Sequence, residues 1–89
     1  MYTPAFVEYL GTCLLIGAVA FTSSPLFIVA ALAVAIGLGG KVSGGHFNPA
    51  VTAWALASGK ISNSKALMYW VSQFGAGLTV WMMASMVKM

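Results

Sequence analysis

The stretch SGGHFNPAVT, residues 43–52, interrupts an otherwise apolar chain and decides how the rest of it is interpreted. Its first half is rich in glycine and ends any helix that runs into it. Asn48 and Pro49 then signal a new helix, because asparagine is a preferred N-cap and proline is preferred at the first helical position. Residues 49–58 are apolar and helix-prone, but ten residues rise only about 15 Å. We therefore predict a loop and a short helix over residues 43–58.

The composition of the chain points to a lipid environment. Of 89 residues, 61% are hydrophobic and 6% are charged, whereas soluble domains carry about 25% charged residues. A chain this short cannot hide so much apolar side chain from water. The net charge of +3 comes from only four lysines, and no basic patch is interleaved with aromatic residues, so no nucleic-acid partner is indicated.

Three apolar stretches surround the loop and short helix. They run over residues 4–22, 25–42 and 65–87. A helix that spans a membrane needs about 20 predominantly apolar residues, and the segment at 43–58 is too short to span. The prediction is an all-α membrane protein, residues 1–89 forming one unit, with three transmembrane helices and one re-entrant half-helix.

The lysines predict the orientation of the chain in the bilayer. Lys41, Lys60 and Lys65 lie around the connection between the second and third spans, and Lys88 alone lies at the opposite end. Lysine-rich connections stay in the cytoplasm. We therefore expect the loop at 43–64 and the N-terminus to be cytoplasmic.

The start of the half-helix is the candidate site for chemistry. Its free N–H groups and the positive end of its dipole point back along the entering chain. At membrane depth such an end is tolerated only where protein buries it or where it lines a water-filled cavity. The Asn48 amide would add donors, and the backbone at Gly44 and Gly45 would add carbonyl acceptors. This pattern would suit a neutral hydrogen-bonding solute and repel cations.

Residues 43–52 closely resemble the signature loop of the aquaporin family, also called the major intrinsic proteins. EYLGT at residues 8–12 resembles the first-helix motif of that family, and Tyr69, Gln73 and GA at 75–76 resemble its third helix. The resemblance covers nearly the whole chain but only the first of the two repeats of the family. It implies one aquaporin-like repeat, the N-terminal half of a channel.

The resemblance also implies roles for individual residues. The pore-lining and selectivity positions would be Asn48, Pro49, Ala50, His46, Gly44, Gly45 and Ile28. Ile28 falls where many water-selective members carry an aromatic residue. Structural support would come from Glu8, Thr12 and Gln73. The Glu8 carboxylate would accept hydrogen bonds from the loop backbone; the alternative is that Glu8 lies at the membrane interface.

Other chemistry has little support in the sequence. Cys13 is the one cysteine and His46 the one histidine, so neither a disulfide within the chain nor a metal site is predicted. No nucleophile–base pair or pair of acids indicates an enzyme. We expect no cofactor.

Half of a channel leaves three functions open. The first is a channel subunit for passive transport of water or a small neutral solute such as glycerol, with a pore formed only when a second half joins, as another copy or a separate chain. The second is a non-conducting protein that docks on a full-length channel. The third is a truncated fragment of a longer channel. The expected partners are the lipid bilayer, the solute and an oligomer or second-half chain.

Overall fold

The computed structural model describes residues 3–87, and within them all regular secondary structure is helical, with no strand. The helices are α1 (Thr3–Phe21), α2 (Pro25–Ser43), α3 (Pro49–Ala57) and α4 (Asn63–Met86). The predicted stretches 4–22, 25–42 and 65–87 differ from α1, α2 and α4 by at most two residues at either end. Met1 and Lys88, on which the predicted orientation partly depends, lie outside the described residues.

Local signals set where these helices begin and end. Ser24 caps α2, its Oγ accepting from the N–H of Phe27 at 3.4 Å, and Pro25 follows at the first helical position. Ser62 caps α4 in the same way, accepting from the N–H of Lys65 at 3.1 Å. Gly44 ends α2 with a φ of 89°, a left-handed conformation that glycine adopts at little cost.

Helix α1 is the centre of the bundle. It packs against both α2 and α4, and α3 packs against α4. Hydrogen bonds from Ser43 to Glu8 and from Tyr69 to Ser43 bring together the start of α1, the end of α2 and the start of α4. We call this end of the bundle the loop end.

The exterior of the bundle is more apolar than its interior. Leu26 and Leu38 are 76% and 82% exposed, whereas Glu8 and Thr52 are 0% exposed. Helices packed in lipid show this arrangement, with small and polar residues between them. Within residues 3–87, α1 and α2 are long and apolar enough to cross a membrane. Helix α4 is longer, at 24 residues, but it is less apolar than α1 and α2 because its first turn and its middle carry polar side chains.

Phe47 anchors the loop to the bundle. Its φ of 51° is unusual for a residue with a side chain and costs roughly 1–3 kcal/mol. The ring is 2% exposed and fills a slot that Gly11 and Gly39 leave open. A Cβ at Gly11 would overlap the ring, and one at Gly39 would lie 2.6 Å from Val7 Cγ1. Burial of the ring between α1 and α2 therefore offsets the backbone strain.

The glycine slot predicts opposite effects for two alanine substitutions in α1. Gly11→Ala should lower the melting temperature in detergent, because overpacking of this kind costs about 1–3 kcal/mol. Gly17→Ala is the matched control, since a Cβ there meets nothing within 4 Å. It should leave the melting temperature unchanged or raise it, because alanine is favoured over glycine within a helix by up to about 1 kcal/mol. Equal shifts in the two variants would show that the slot does not constrain Gly11.

Candidate functional site

The Glu8 carboxylate, on α1, is the point to which the loop is tied. It is 0% exposed. Its Oε2 accepts hydrogen bonds from Ser43 Oγ at 2.8 Å and from the N–H of His46 at 2.9 Å. Its Oε1 accepts from the N–H of Phe47 at 2.7 Å and from Gln73 Nε2 at 2.9 Å. Four donors satisfy a buried charge that would otherwise be costly, and two of them are loop amides.

A chain of polar side chains extends from this carboxylate to α3. Gln73 Nε2 also donates to Thr52 Oγ1 at 2.8 Å. The orientation of the amide follows from the network, because an ionised carboxylate can only accept. Thr52 Oγ1 in turn shares a 2.8 Å hydrogen bond with His46 Nδ1. The imidazole ring packs edge-on against Tyr69, with ring centroids 5.0 Å apart.

Two aromatic residues of α4 hold the two ends of the loop. Tyr69 donates its hydroxyl to the carbonyl of Ser43 at 2.6 Å, and Trp70 Nε1 donates to the carbonyl of Pro49 at 3.0 Å. Trp70 and Phe47 were not among the site residues predicted from the sequence. The spacing of Trp70 could have indicated its role, because it lies three residues before Gln73 and therefore on the same side of α4.

Asn48 caps α3 and keeps a free donor. Its Oδ1 accepts from the N–H of Ala50 at 2.7 Å, so its amide nitrogen faces away from the helix. Among the described residues that nitrogen donates no hydrogen bond, and the carbonyls of residues 44–47 accept none. Asn48 and Pro49 line an open cavity of about 500 Å³ together with residues of α1 and α4.

The structure brings together most of the residues selected from the sequence. Gly44, Gly45, His46, Asn48, Pro49 and Ala50 form the loop and the start of α3. Glu8 accepts from the loop amides, and Gln73 donates to Glu8. Thr12 lines the same cavity, but its hydroxyl is buried and has no hydrogen-bond partner within residues 3–87. Ile28 lies apart from this group, in the first turn of α2, at the end of the bundle opposite the loop.

The free groups of this site are hydrogen-bonding and carry no formal charge. Asn48, with its free amide donor, and Pro49, at the N-terminal end of α3, lie at the wall of the cavity. These groups can donate hydrogen bonds to a neutral polar molecule, and the positive end of the α3 dipole disfavours a cation there. In the described part of the chain, no three His, Cys, Asp or Glu residues come close enough to hold a metal ion.

Fold and site together define an all-helical membrane protein with a short helix, α3, whose start lines a cavity beside α1 and α4. The family model of the major intrinsic proteins matches residues 11–89. The chain therefore belongs to the major intrinsic protein family, which confirms the resemblance noted in the sequence and indicates an integral membrane location.

Individual relatives in the family come from plants. Aquaporin TIP1-2 of Zea mays is 58% identical over 43 residues, which are 48% of this chain and 17% of that protein. Probable aquaporin TIP3-2 of Arabidopsis thaliana is 54% identical over 48 residues, which are 54% of this chain and 16% of that protein. The matched stretch is thus a small part of each relative. No solved structure matches the chain significantly.

The Glu8 network predicts that Glu8→Gln will loosen the loop. An amide replaces one of the two oxygens, so two buried donors lose their acceptor, at about 1–3 kcal/mol each. We expect the amides of His46 and Phe47 to exchange hydrogen about tenfold faster or more in detergent micelles.

Tyr9→Phe is the matched control for this substitution. It removes the 2.7 Å hydrogen bond between Tyr9 and Thr79, which joins α1 to α4 without touching the loop. Exchange at His46 and Phe47 should stay at the wild-type rate in this variant. Unchanged exchange in Glu8→Gln would mean that the carboxylate does not hold the loop.

Proposed function

We propose that the chain is a membrane channel subunit for passive transport of water or small neutral solutes such as glycerol, and that a pore forms only when a second half joins it. The observation that carries this proposal is the free amide nitrogen of Asn48 beside the start of α3, on the wall of an open cavity. Membership of the major intrinsic proteins and similarity to plant proteins named as aquaporins support it.

The proposed arrangement in the membrane has α1, α2 and α4 as spans and α3 as the re-entrant half-helix of a single half-repeat, residues 1–89. The 24 residues of α4 rise about 36 Å, more than the roughly 30 Å hydrocarbon core. The loop end carries Lys41, Lys60 and Lys65 and is proposed to face the cytoplasm with the N-terminus.

The need for a second half follows from what the chain leaves open. Within the described residues the cavity beside Asn48 is walled by α1, the loop, the first residue of α3 and α4, and the start of α3 meets no second half-helix within residues 3–87. In transporters built from inverted repeats, half-helices from both repeats form the central site. A second copy in the opposite orientation or a separate second-half chain would supply the missing wall.

The residues divide into two proposed roles. The pore surface would be formed by Asn48, Pro49, Ala50, His46, Gly44 and Gly45, with Ile28 contributing further along the path. Glu8, Gln73 and Thr12 would support it. In this division the loop amides and Gln73 hydrogen-bond the Glu8 carboxylate within the bundle, so that the solute meets donors and carbonyls rather than a carboxylate.

Asn48→Asp tests the proposed pore. The substitution replaces the free donor with a negative charge at the start of α3, and we expect it to abolish any permeability above that of empty liposomes. Osmotic water and glycerol permeability would be measured by stopped-flow light scattering. The chain would be reconstituted alone and together with a chain that carries the missing half-repeat.

Asn63→Asp is the matched control, because this substitution makes the same charge change at an exposed position in the first turn of α4. It should keep the wild-type permeability. Transport by the chain alone would show that copies of it form the pore. Transport only with the second half would support the two-chain pore. Absence of transport in both preparations would contradict the proposal and favour the non-conducting docking protein or the fragment.

A further inference from the structure

The loop end of the bundle carries a surplus of positive charge. Lys41 lies in the last turn of α2, Lys60 follows α3, and Lys65 lies in the first turn of α4. The ammonium groups of Lys60 and Lys65 lie over aromatic rings, 5.6 Å from the centroid of Trp54 and 5.5 Å from that of Tyr69. These contacts position the two cations without neutralising them.

No acidic side chain of the chain balances these lysines. Glu8 is the one acidic residue in the sequence, and its side chain is 0% exposed. Both of its oxygens are occupied by neutral donors from the loop, Ser43 and Gln73. A negative counter-charge for this surface must therefore come from outside the described residues.

A pocket of about 180 Å³ lies beside one of the lysines, between the start of α1 and the start of α4. Its walls are formed by Pro4, Ala5, Ser64, Lys65, Met68 and Tyr69. One part of the wall is polar, with the ammonium of Lys65 and the exposed hydroxyl of Ser64. The remainder of the wall includes the apolar side chains of Pro4, Ala5 and Met68.

We infer that this pocket binds the headgroup of an anionic phospholipid. The phosphate would lie on Lys65 and accept a hydrogen bond from Ser64, and the start of an acyl chain would contact the apolar wall formed by Pro4, Ala5 and Met68. Lysines close to a membrane surface attract anionic lipids, and a combined polar and apolar wall matches a lipid better than a free anion. This inference does not depend on transport by the chain.

Native mass spectrometry from detergent tests this inference by counting the lipids retained by each chain. Phosphatidylglycerol and phosphatidylcholine with the same acyl chains would be compared, and we expect preferential retention of one phosphatidylglycerol. Lys65→Gln should weaken that binding about fivefold, the effect of about 1 kcal/mol for one lysine near a membrane surface.

Lys60→Gln is the matched control, since Lys60 also lies over an aromatic ring at the same end but does not line the pocket. It should change binding less than twofold, as should Lys65→Arg, which keeps the charge. The wild-type preference should also fall as salt is raised, because salt screens exposed charges.

Three results would overturn the inference. Equal weakening in Lys60→Gln and Lys65→Gln would indicate diffuse attraction rather than a site. Displacement of the lipid by millimolar inorganic phosphate would indicate a free anion as the ligand. Equal retention of the two lipids by the wild type would show that the pocket does not select an anionic headgroup. Circular dichroism of each variant would establish that its helices are intact.

Discussion

The buried carboxylate of Glu8 is the interaction on which the rest of this structure depends. A charge inside a helical bundle surrounded by lipid is costly, and the cost falls only where donors surround it. Here the donors are two loop amides, a serine hydroxyl and a glutamine amide. Because those groups come from α2, the loop and α4, satisfying one charge fixes the relative positions of all three around α1.

The second constraint is steric, and it acts on the same loop. Phe47 has a left-handed backbone conformation, which an isolated peptide would rarely adopt. Its ring occupies space that exists only because Gly11 has no side chain. The amide of Phe47 also bonds to Glu8 at 2.7 Å. Polar and apolar contacts therefore act on one residue, and together they hold the chain in place just before α3 begins.

The division between satisfied and free groups links this architecture to the proposed function. A chain of hydrogen bonds runs inside the bundle from Glu8 through Gln73 to Thr52 and His46. The Asn48 amide nitrogen and the carbonyls of residues 44–47 have no partner among the described residues, and Asn48 lies at the cavity wall. A loop held by such a network keeps its free groups preorganised to bind passing polar molecules.

Several features could be predicted from local sequence signals. The helix starts at Pro25 and Pro49, the helix break at Gly44 and the approximate lengths of α1, α2 and α4 follow from caps, glycines and apolar runs. The motif at residues 43–52 was sufficient to indicate the family, which the match over residues 11–89 confirms. These features depend on neighbouring residues, and neighbouring residues are what a sequence shows directly.

The roles of Phe47 and Trp70 could not be predicted in the same way. Phe47 packs against Gly11 and Gly39, and Trp70 bonds to the carbonyl of Pro49, so each role requires residues far apart in the chain to meet. Thr12 and Ile28 show the opposite case. The family resemblance predicted a site role for each, but Thr12 makes no hydrogen bond among the described residues and Ile28 lies far from the loop. The sequence by itself determined the helices and the family of this protein. Only the tertiary structure decided which side chains brace the loop, because that choice depends on which distant groups can satisfy one buried charge.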